Sequence, residues 1–172
     1  MSKCLYTESD VTQSAGQLLI CSADLNGEKT KEEKNFARCF PNSWNVAKEM
    51  LRCQIDDDHD TEVRLGDVIW TRTGGGKHIG FCVVKEDGKI NRSAVSLCIN
   101  SAKNKARELN IEYVGMGLFG CNTAKDWADI VPIVEFSLEE IQGVVCVPTN
   151  RDLLDVLDFL PGSKKFTMIK SQ

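Results

Sequence analysis

The chain has 172 residues and a mass of 19.1 kDa, with 42% hydrophobic and 27% charged residues and a formal net charge of −4 at pH 7. This ordinary globular composition excludes a disordered or collagen-like chain, and one domain accounts for the length. The acidic balance excludes sequence-independent binding to nucleic-acid backbones, which relies on Lys and Arg to neutralise phosphates.

Apolar and β-branched runs alternate with helical patterns along the chain. The pattern predicts a strand over 4–7 and a second over 18–22, where Leu18-Leu19-Ile20-Cys21 is continuously apolar. Helices follow over 31–40 and 43–51, separated at Pro41. Residues 56–62 (DDDHDTE) are a block of like charge, read as a solvated connection; they lack the glycine and alternate spacing of a calcium loop. Strands at 67–71 and 79–85 flank Gly74-Gly75-Gly76-Lys77. That run is read as a hairpin turn, because a phosphate-binding loop needs Ser or Thr after the lysine and His78 stands there.

The clearest helix is 92–109, whose Val95, Cys98, Ile99, Ala102, Ala106 and Leu109 recur at steps of three and four. A strand over 112–118, a helix over 127–141 containing Pro132, and a strand over 144–148 come next. A last helix is expected over 151–160, closed by Pro161-Gly162. One domain is expected over 1–162, with a basic, flexible tail over 163–172. Strands alternating with helices imply an α/β fold with a mixed or parallel sheet covered on both faces. Its ligand site is then expected at the carboxyl ends of the strands.

The eight cysteines stand fourteen residues or more apart, so no CxxC and no metal-ligand spacing is present. Most sit inside apolar runs, where free cysteine behaves as a small buried hydrophobe. With no apolar stretch near the ~18 residues of a membrane span and no expected leader, the chain reads as reduced, intracellular and cytoplasmic. No membrane partner, metal or cofactor is expected.

Three segments resemble the macrodomain family. Tyr6-Thr7-Glu8-Ser9-Asp10-Val11-Thr12 is similar to its opening strand, which ends in Gly-Asp-Ile/Leu-Thr. Leu18-Leu19-Ile20-Cys21-Ser22-Ala23-Asp24 looks like its second strand. Val114-Gly115-Met116-Gly117-Leu118-Phe119-Gly120-Cys121, followed by Asp126-Trp127, looks like its strand running into an Ile-Gly-Cys-Gly loop closed by a tryptophan. Order and spacing agree over about 140 residues. The branch most similar removes ADP-ribose from acidic side chains or DNA bases.

The resemblance implies a three-layer α/β/α macrodomain-like fold with a mixed central sheet, probed by ADP-ribose or an ADP-ribosylated macromolecule, and a monomer. It implies that Asp10 accepts the adenine amino group and that the Val11 amide meets the base. Asp24 and Gly27 would approach the distal ribose, and the amides of Gly120, Cys121 and Asn122 the diphosphate. Lys85 matches the lysine that this branch uses as a nucleophile on the anomeric carbon. Each residue also has a plainer role: Asp10 as a turn cap, Asp24 in a turn with Asn26-Gly27, Lys85 as a strand-end lysine, Trp127 in packing.

This sequence also departs from the family pattern. Where macrodomains carry Gly-x-Gly-Ile/Val-Ala, it has no glycine after Gly27 but Glu28, Glu32 and Glu33, which would repel a diphosphate unless they point away. The family's acid in the second loop falls on Ala124 and Lys125, so Asp126, one or two positions late, is the candidate to replace it. Three functions follow: hydrolysis of an ADP-ribosyl linkage, binding of ADP-ribose or a related adenine nucleotide without catalysis, or a scaffold with a degenerate pocket acting through protein–protein contacts. A viral origin, countering host ADP-ribosylation, would suit such a diverged chain. Cys121, in the proposed phosphate loop, is expected to be alkylated ahead of the strand cysteines Cys82 and Cys146.

Overall fold

Strand β2 (Leu18–Asp24) sets the architecture, because every residue in it is buried. Alternate side chains of a strand point to opposite faces, so a strand buried throughout must be covered on both. Leu18 and Ile20 enter one apolar core, while Leu19, Cys21 and Ala23 enter the other. Strand β4 (His78–Glu86) repeats this division, with Cys82 and Val84 on one side and Ile79, Phe81 and Val83 on the other. The computed structural model describes residues 4–14, 16–26, 30–56, 63–121 and 123–147. Gly27, Asn122, the expected helix at 151–160 and the basic tail lie outside the described residues.

The seven-stranded sheet has the order β1-β7-β6-β2-β4-β3. The partners of β2 and β4 are β1 (Cys4–Glu8), β3 (Val68–Arg72), β6 (Tyr113–Met116) and β7 (Gln142–Val147). All pairs from β1 through β4 are parallel, and β3 is antiparallel to β4. Helices α1 (Lys31–Cys39) and α2 (Pro41–Asp56) cover one face, supplying Phe36, Trp44, Ala47 and Leu51 to its core. Helices α3 (Arg92–Glu108) and α4 (Ala124–Leu138) cover the other, with Val95, Cys98, Ile99, Val131 and Val134. The architecture is therefore the expected three-layer α/β/α arrangement around a mixed sheet.

Local chemistry explains the element ends. Pro41 opens α2 at the position where a missing N–H costs nothing, so it separates α1 from α2 without breaking either. Thr30 and Glu33 form a capping box on α1: the Thr30 hydroxyl accepts from the Glu33 amide at 3.0 Å and Glu33 Oε1 from the Thr30 amide at 3.3 Å. Helix α4 starts and ends three residues earlier than the pattern at 127–141 suggests, because Thr123 caps it through the Asp126 amide. Pro132 consequently lies inside the helix, in its third turn. The run Gly74-Gly75-Gly76 is a hairpin turn between β3 and β4, as expected, with Thr73 and Lys77 closing it at 2.8 Å.

One strand was not anticipated. β5 (Lys89–Ile90) turns back on the end of β4 through Asp87-Gly88, both with positive φ. Asp-Gly flanked by strand residues is the signature of such a two-residue hairpin.

Trp127 is fully buried and its indole Nε1 donates to Tyr6 Oη at 3.0 Å, tying the start of α4 to edge strand β1. Its role is packing, in line with the plainer alternative above. Trp127→Phe keeps a ring but removes volume and this donor, and is expected to lower unfolding stability by roughly 1–3 kcal/mol. Urea denaturation followed by far-ultraviolet circular dichroism measures the loss.

Candidate functional site

Because β1, β2, β4, β6 and β7 run parallel, their carboxyl ends share one edge of the sheet. Asp10, Asp24, Lys85 and the loop at 117–121 all follow or end these strands, so chain segments far apart in sequence meet there. Asp24 and Lys85 are neighbours across the β2–β4 ladder, and both are buried.

The loop after β6 turns sharply. Phe119 and Gly120 both adopt positive φ, and their amides point back toward α1. A side chain at Gly120 would place its Cβ 2.6 Å from Ser22 Oγ and 3.0 Å from Lys85 Cε, so only glycine fits. Lys85 Nζ donates to the Gly120 carbonyl at 2.6 Å, fastening β4 to this loop.

The centre of the site is a residue that the sequence marked only as an obstacle. Glu32, near the start of α1, points inward: Oε1 accepts from the Ser22 amide at 2.8 Å and Oε2 from the Gly120 amide at 3.2 Å. Gly117 makes room for it, since a Cβ there would lie 2.9 Å from Oε2. Burial pushes the Glu32 carboxyl up to about 7, while the backbone donors at Ser22, Gly120 and Phe119 and the Lys85 charge hold it from rising further. Glu33, buried beside it, is likewise raised to about 7 by burial, against hydrogen bonds from the Thr30 and Asp24 backbone. The capping box at Thr30-Lys31-Glu32-Glu33 is the sequence signal that could have placed Glu32. It fixes where the helix begins and puts Glu32 in its first turn, though not which way that side chain faces.

The expected site residues fall as follows. Asp10 caps a single 3₁₀ turn (Val11–Gln13), accepting from the Thr12 amide at 2.9 Å and its hydroxyl at 2.7 Å. Both of its oxygens also accept from Asn35 Nδ2, at 2.7 and 2.9 Å. Burial would raise the Asp10 carboxyl, but these bonds and Arg38 outweigh it and hold the carboxyl below its ordinary value. Val11 is buried beneath α1. Asp24 closes a turn through the Asn26 amide at 2.9 Å and receives the Gly88 amide of the β4–β5 hairpin at 2.8 Å. The Cys121 amide is engaged by the Leu118 carbonyl at 3.0 Å.

Lys85, Gly120 and Asp126 come together with Gly88, Ile90 and Arg92 around a cleft of about 290 Å³. Asp126 is exposed in the first turn of α4. Among the described residues no cluster of His, Cys, Asp and Glu could hold a metal ion, and no helix is long and apolar enough to cross a membrane.

Cysteine exposure refines the expectation for Cys121. Its thiol is partly buried and pushed up to about 12 by burial and by Asp126, whereas Cys39 at the end of α1 is exposed. Thiolates are the reactive form. Alkylation of the folded protein is expected to label Cys39 before Cys121, and both before Cys82 and Cys146, with peptide mass spectrometry giving the order.

The raised carboxyls also set a pH dependence. An acid with a folded pKa above its unfolded value holds its proton more tightly when folded. Stability is therefore highest near or below 4.5 for Glu32 and declines as pH rises through about 7. His78, whose value is lowered from 6.5 mainly by burial, acts oppositely below that pH, so the comparison must isolate Glu32. The stability of Glu32→Gln relative to the native chain is expected to shift in the variant's favour as pH rises from about 5.5 to about 8. Melting curves of both proteins across this range test the sign.

No protein-family model matches the sequence, and no curated protein matches it significantly. Solved structures do match. The macrodomain of Mycobacterium tuberculosis DarG superposes with a TM-score of 0.69 at 18% identity, over 86% of this chain and 98% of that one. The macrodomain of Thermus aquaticus DarG gives 0.68 at 14% identity, again over 86% and 98%. Thermosipho africanus DarTG, solved in complex with ADP-ribose, gives 0.65 at 12% identity, over 89% of this chain and 44% of that one. At these identities the likeness is one of fold.

Proposed function

We propose that this chain, which has the macrodomain fold, binds ADP-ribose or a related adenine nucleotide at the carboxyl edge of its sheet. The observation that carries this is the cleft where Lys85, Arg92 and the Gly120 turn meet beside the N-terminus of α4. Three cations, Lys85, Lys89 and Arg92, line it against the carboxylates of Asp126 and Asp129, the latter 3.9 Å from Arg92; with the partial positive charge of the helix end, they suit the phosphate and hydroxyls of such a ligand. About 290 Å³ is at the small end for a ligand pocket, enough for one ribose and its phosphate, with the base lying toward Asp10. The complex of Thermosipho africanus DarTG with ADP-ribose supports this choice of ligand class.

Lys85 and Asp126, lining the same cleft, extend the proposal to hydrolysis of an ADP-ribosyl linkage. In that reaction Lys85 Nζ, in its neutral form, bonds to the anomeric carbon as the bond from that carbon to the acceptor's oxygen or nitrogen breaks, and the proton shed by Nζ passes to the leaving group. Asp126 then directs the water that frees the sugar from Lys85. To act so, Lys85 must first release the Gly120 carbonyl that it holds at 2.6 Å. A second reading, a scaffold acting through a protein surface, is favoured by the internal hydrogen bonds that Glu32 and Asp10 already make.

A thermal-shift titration with free ADP-ribose tests the proposal. Ligand at a hundred times its dissociation constant stabilises by about 2.7 kcal/mol, which raises the melting temperature by several degrees. No shift at millimolar ligand would show that the groove of the native chain is closed to it, and no shift in variants that open the groove either would leave the scaffold. Where binding is seen, release of ADP-ribose from a modified carboxylate or DNA base separates enzyme from binder. Lys85→Ala is expected to abolish release, and unchanged release would remove Lys85 from the nucleophile's role.

A further inference from the structure

We propose that helix α1 sits in the chain's own ligand groove as a substitute for the ligand, Glu32 standing for an anionic group and Asn35 for an amino group, and that a nucleotide enters by displacing these two side chains. This rests on the binding site put forward above. Glu32 and Asn35 are three residues apart on α1, hence neighbours on one helical face. They reach two different anchors. The Glu32 carboxylate spans the Ser22 amide at 2.8 Å and the Gly120 amide at 3.2 Å, with the Lys85 charge nearby. Two acceptor oxygens bearing negative charge, met by backbone amides and a lysine, repeat the chemistry by which a phosphate is held.

At the other anchor, Asn35 Nδ2 donates to both oxygens of Asp10, at 2.7 and 2.9 Å. An NH₂ donor facing a carboxylate is the pairing that an adenine amino group would make. The Asn35 carbonyl is itself held by the Arg38 guanidinium, one turn further along the same face. An evolved filler for an abandoned pocket would be apolar, because a buried carboxylate carries a desolvation cost. Glu32 and Asn35 instead match both anchors in polarity.

Displacement has its own pH signature. The groups facing Glu32 are Lys85 and Cys82 on β4, Cys21 on β2, Cys146 on β7, Cys121 in the loop, and Glu33 on its own helix, which in turn faces Asp24. In place, Glu32 holds its proton up to about pH 7; moved into water, it returns toward 4.5. Binding that expels it therefore releases a proton between those values, and affinity rises with pH. The diphosphate stays ionised throughout and contributes no such change. A ligand that bound beside an unmoved Glu32 would raise its pKa further and give the opposite slope.

Calorimetric titration of ADP-ribose into the native chain, Glu32→Ala, Asn35→Ala, the double variant and Glu32→Gln decides the matter. Circular dichroism melts verify that each is folded, and the near-isosteric Glu32→Gln serves if Glu32→Ala is not. The expected result is affinity at least tenfold tighter in Glu32→Ala and tighter again in the double variant. Native affinity should rise severalfold from pH 5.5 to 7.5, with a flatter profile in Glu32→Gln. Binding by the variants alone would support the same inference, with the native groove closed. If the native chain binds and the variants bind no tighter, with no rise toward pH 7.5, the displacement idea falls and the binding site stands. If neither the native chain nor any variant binds, both fall.

Discussion

The interaction on which the carboxyl edge of this fold depends is a carboxylate held by backbone amides. Glu32 joins three segments that the chain keeps apart: α1, which carries it; β2, which supplies the Ser22 amide; and the loop after β6, which supplies Gly120. Ser22 lies within β2, two residues past Ile20, the last paired with β6, and Gly120 lies in the loop that leaves β6, so a side-chain acceptor takes the place of a ladder partner for both amides. The surrounding residues follow from that requirement. Gly117 and Gly120 are glycines because the carboxylate, Ser22 and Lys85 crowd the positions where their Cβ atoms would be. Lys85 is turned onto the Gly120 carbonyl, so the same loop is gripped at its N–H by an anion and at its C=O by a cation.

The two cores make this arrangement rigid. Strands β2 and β4 are buried on both faces, with Trp127 and Phe119 packed on one side and Phe36, Trp44 and Phe81 on the other. Cysteine contributes as a small hydrophobe: Cys82 and Cys98 fill the core under α3 and α4, Cys21 and Cys146 the core under α1 and α2. Dense packing on both sides leaves the loops at the strand ends as the place where chemistry can vary while the sheet stays the same. That is how the fold can be shared with the DarG macrodomains at under one-fifth identity.

The carboxyl edge of the sheet holds three carboxylates, Asp24, Glu32 and Glu33, each turned onto backbone amides. Their cost is offset by amide donors at Ser22, Gly120, Asn26, Gly88 and Thr30, one or two to each carboxylate.

The periodicities alone determined the class, the order of the strands along the chain, the long helix at 92–108 and the glycine hairpin, because burial on one or both faces is written directly as spacing. They placed a ligand site only at the carboxyl ends of the strands; it was the resemblance to the macrodomain family that singled out Asp10, Lys85, Gly120 and Asp126 there. The short strand β5 was legible in Asp87-Gly88 and overlooked, as was the capping box at Thr30. What no spacing contains is the direction of Glu32. Glu28, Glu32 and Glu33 read only as charges that would repel a diphosphate unless they pointed away, and whether one turns inward depends on free amides from β2 and from the loop after β6, some 10 and 88 residues away in the chain. Only the tertiary structure decided that, because a hydrogen bond is settled by which donors arrive within about 3 Å, and the distance along the chain says nothing of that.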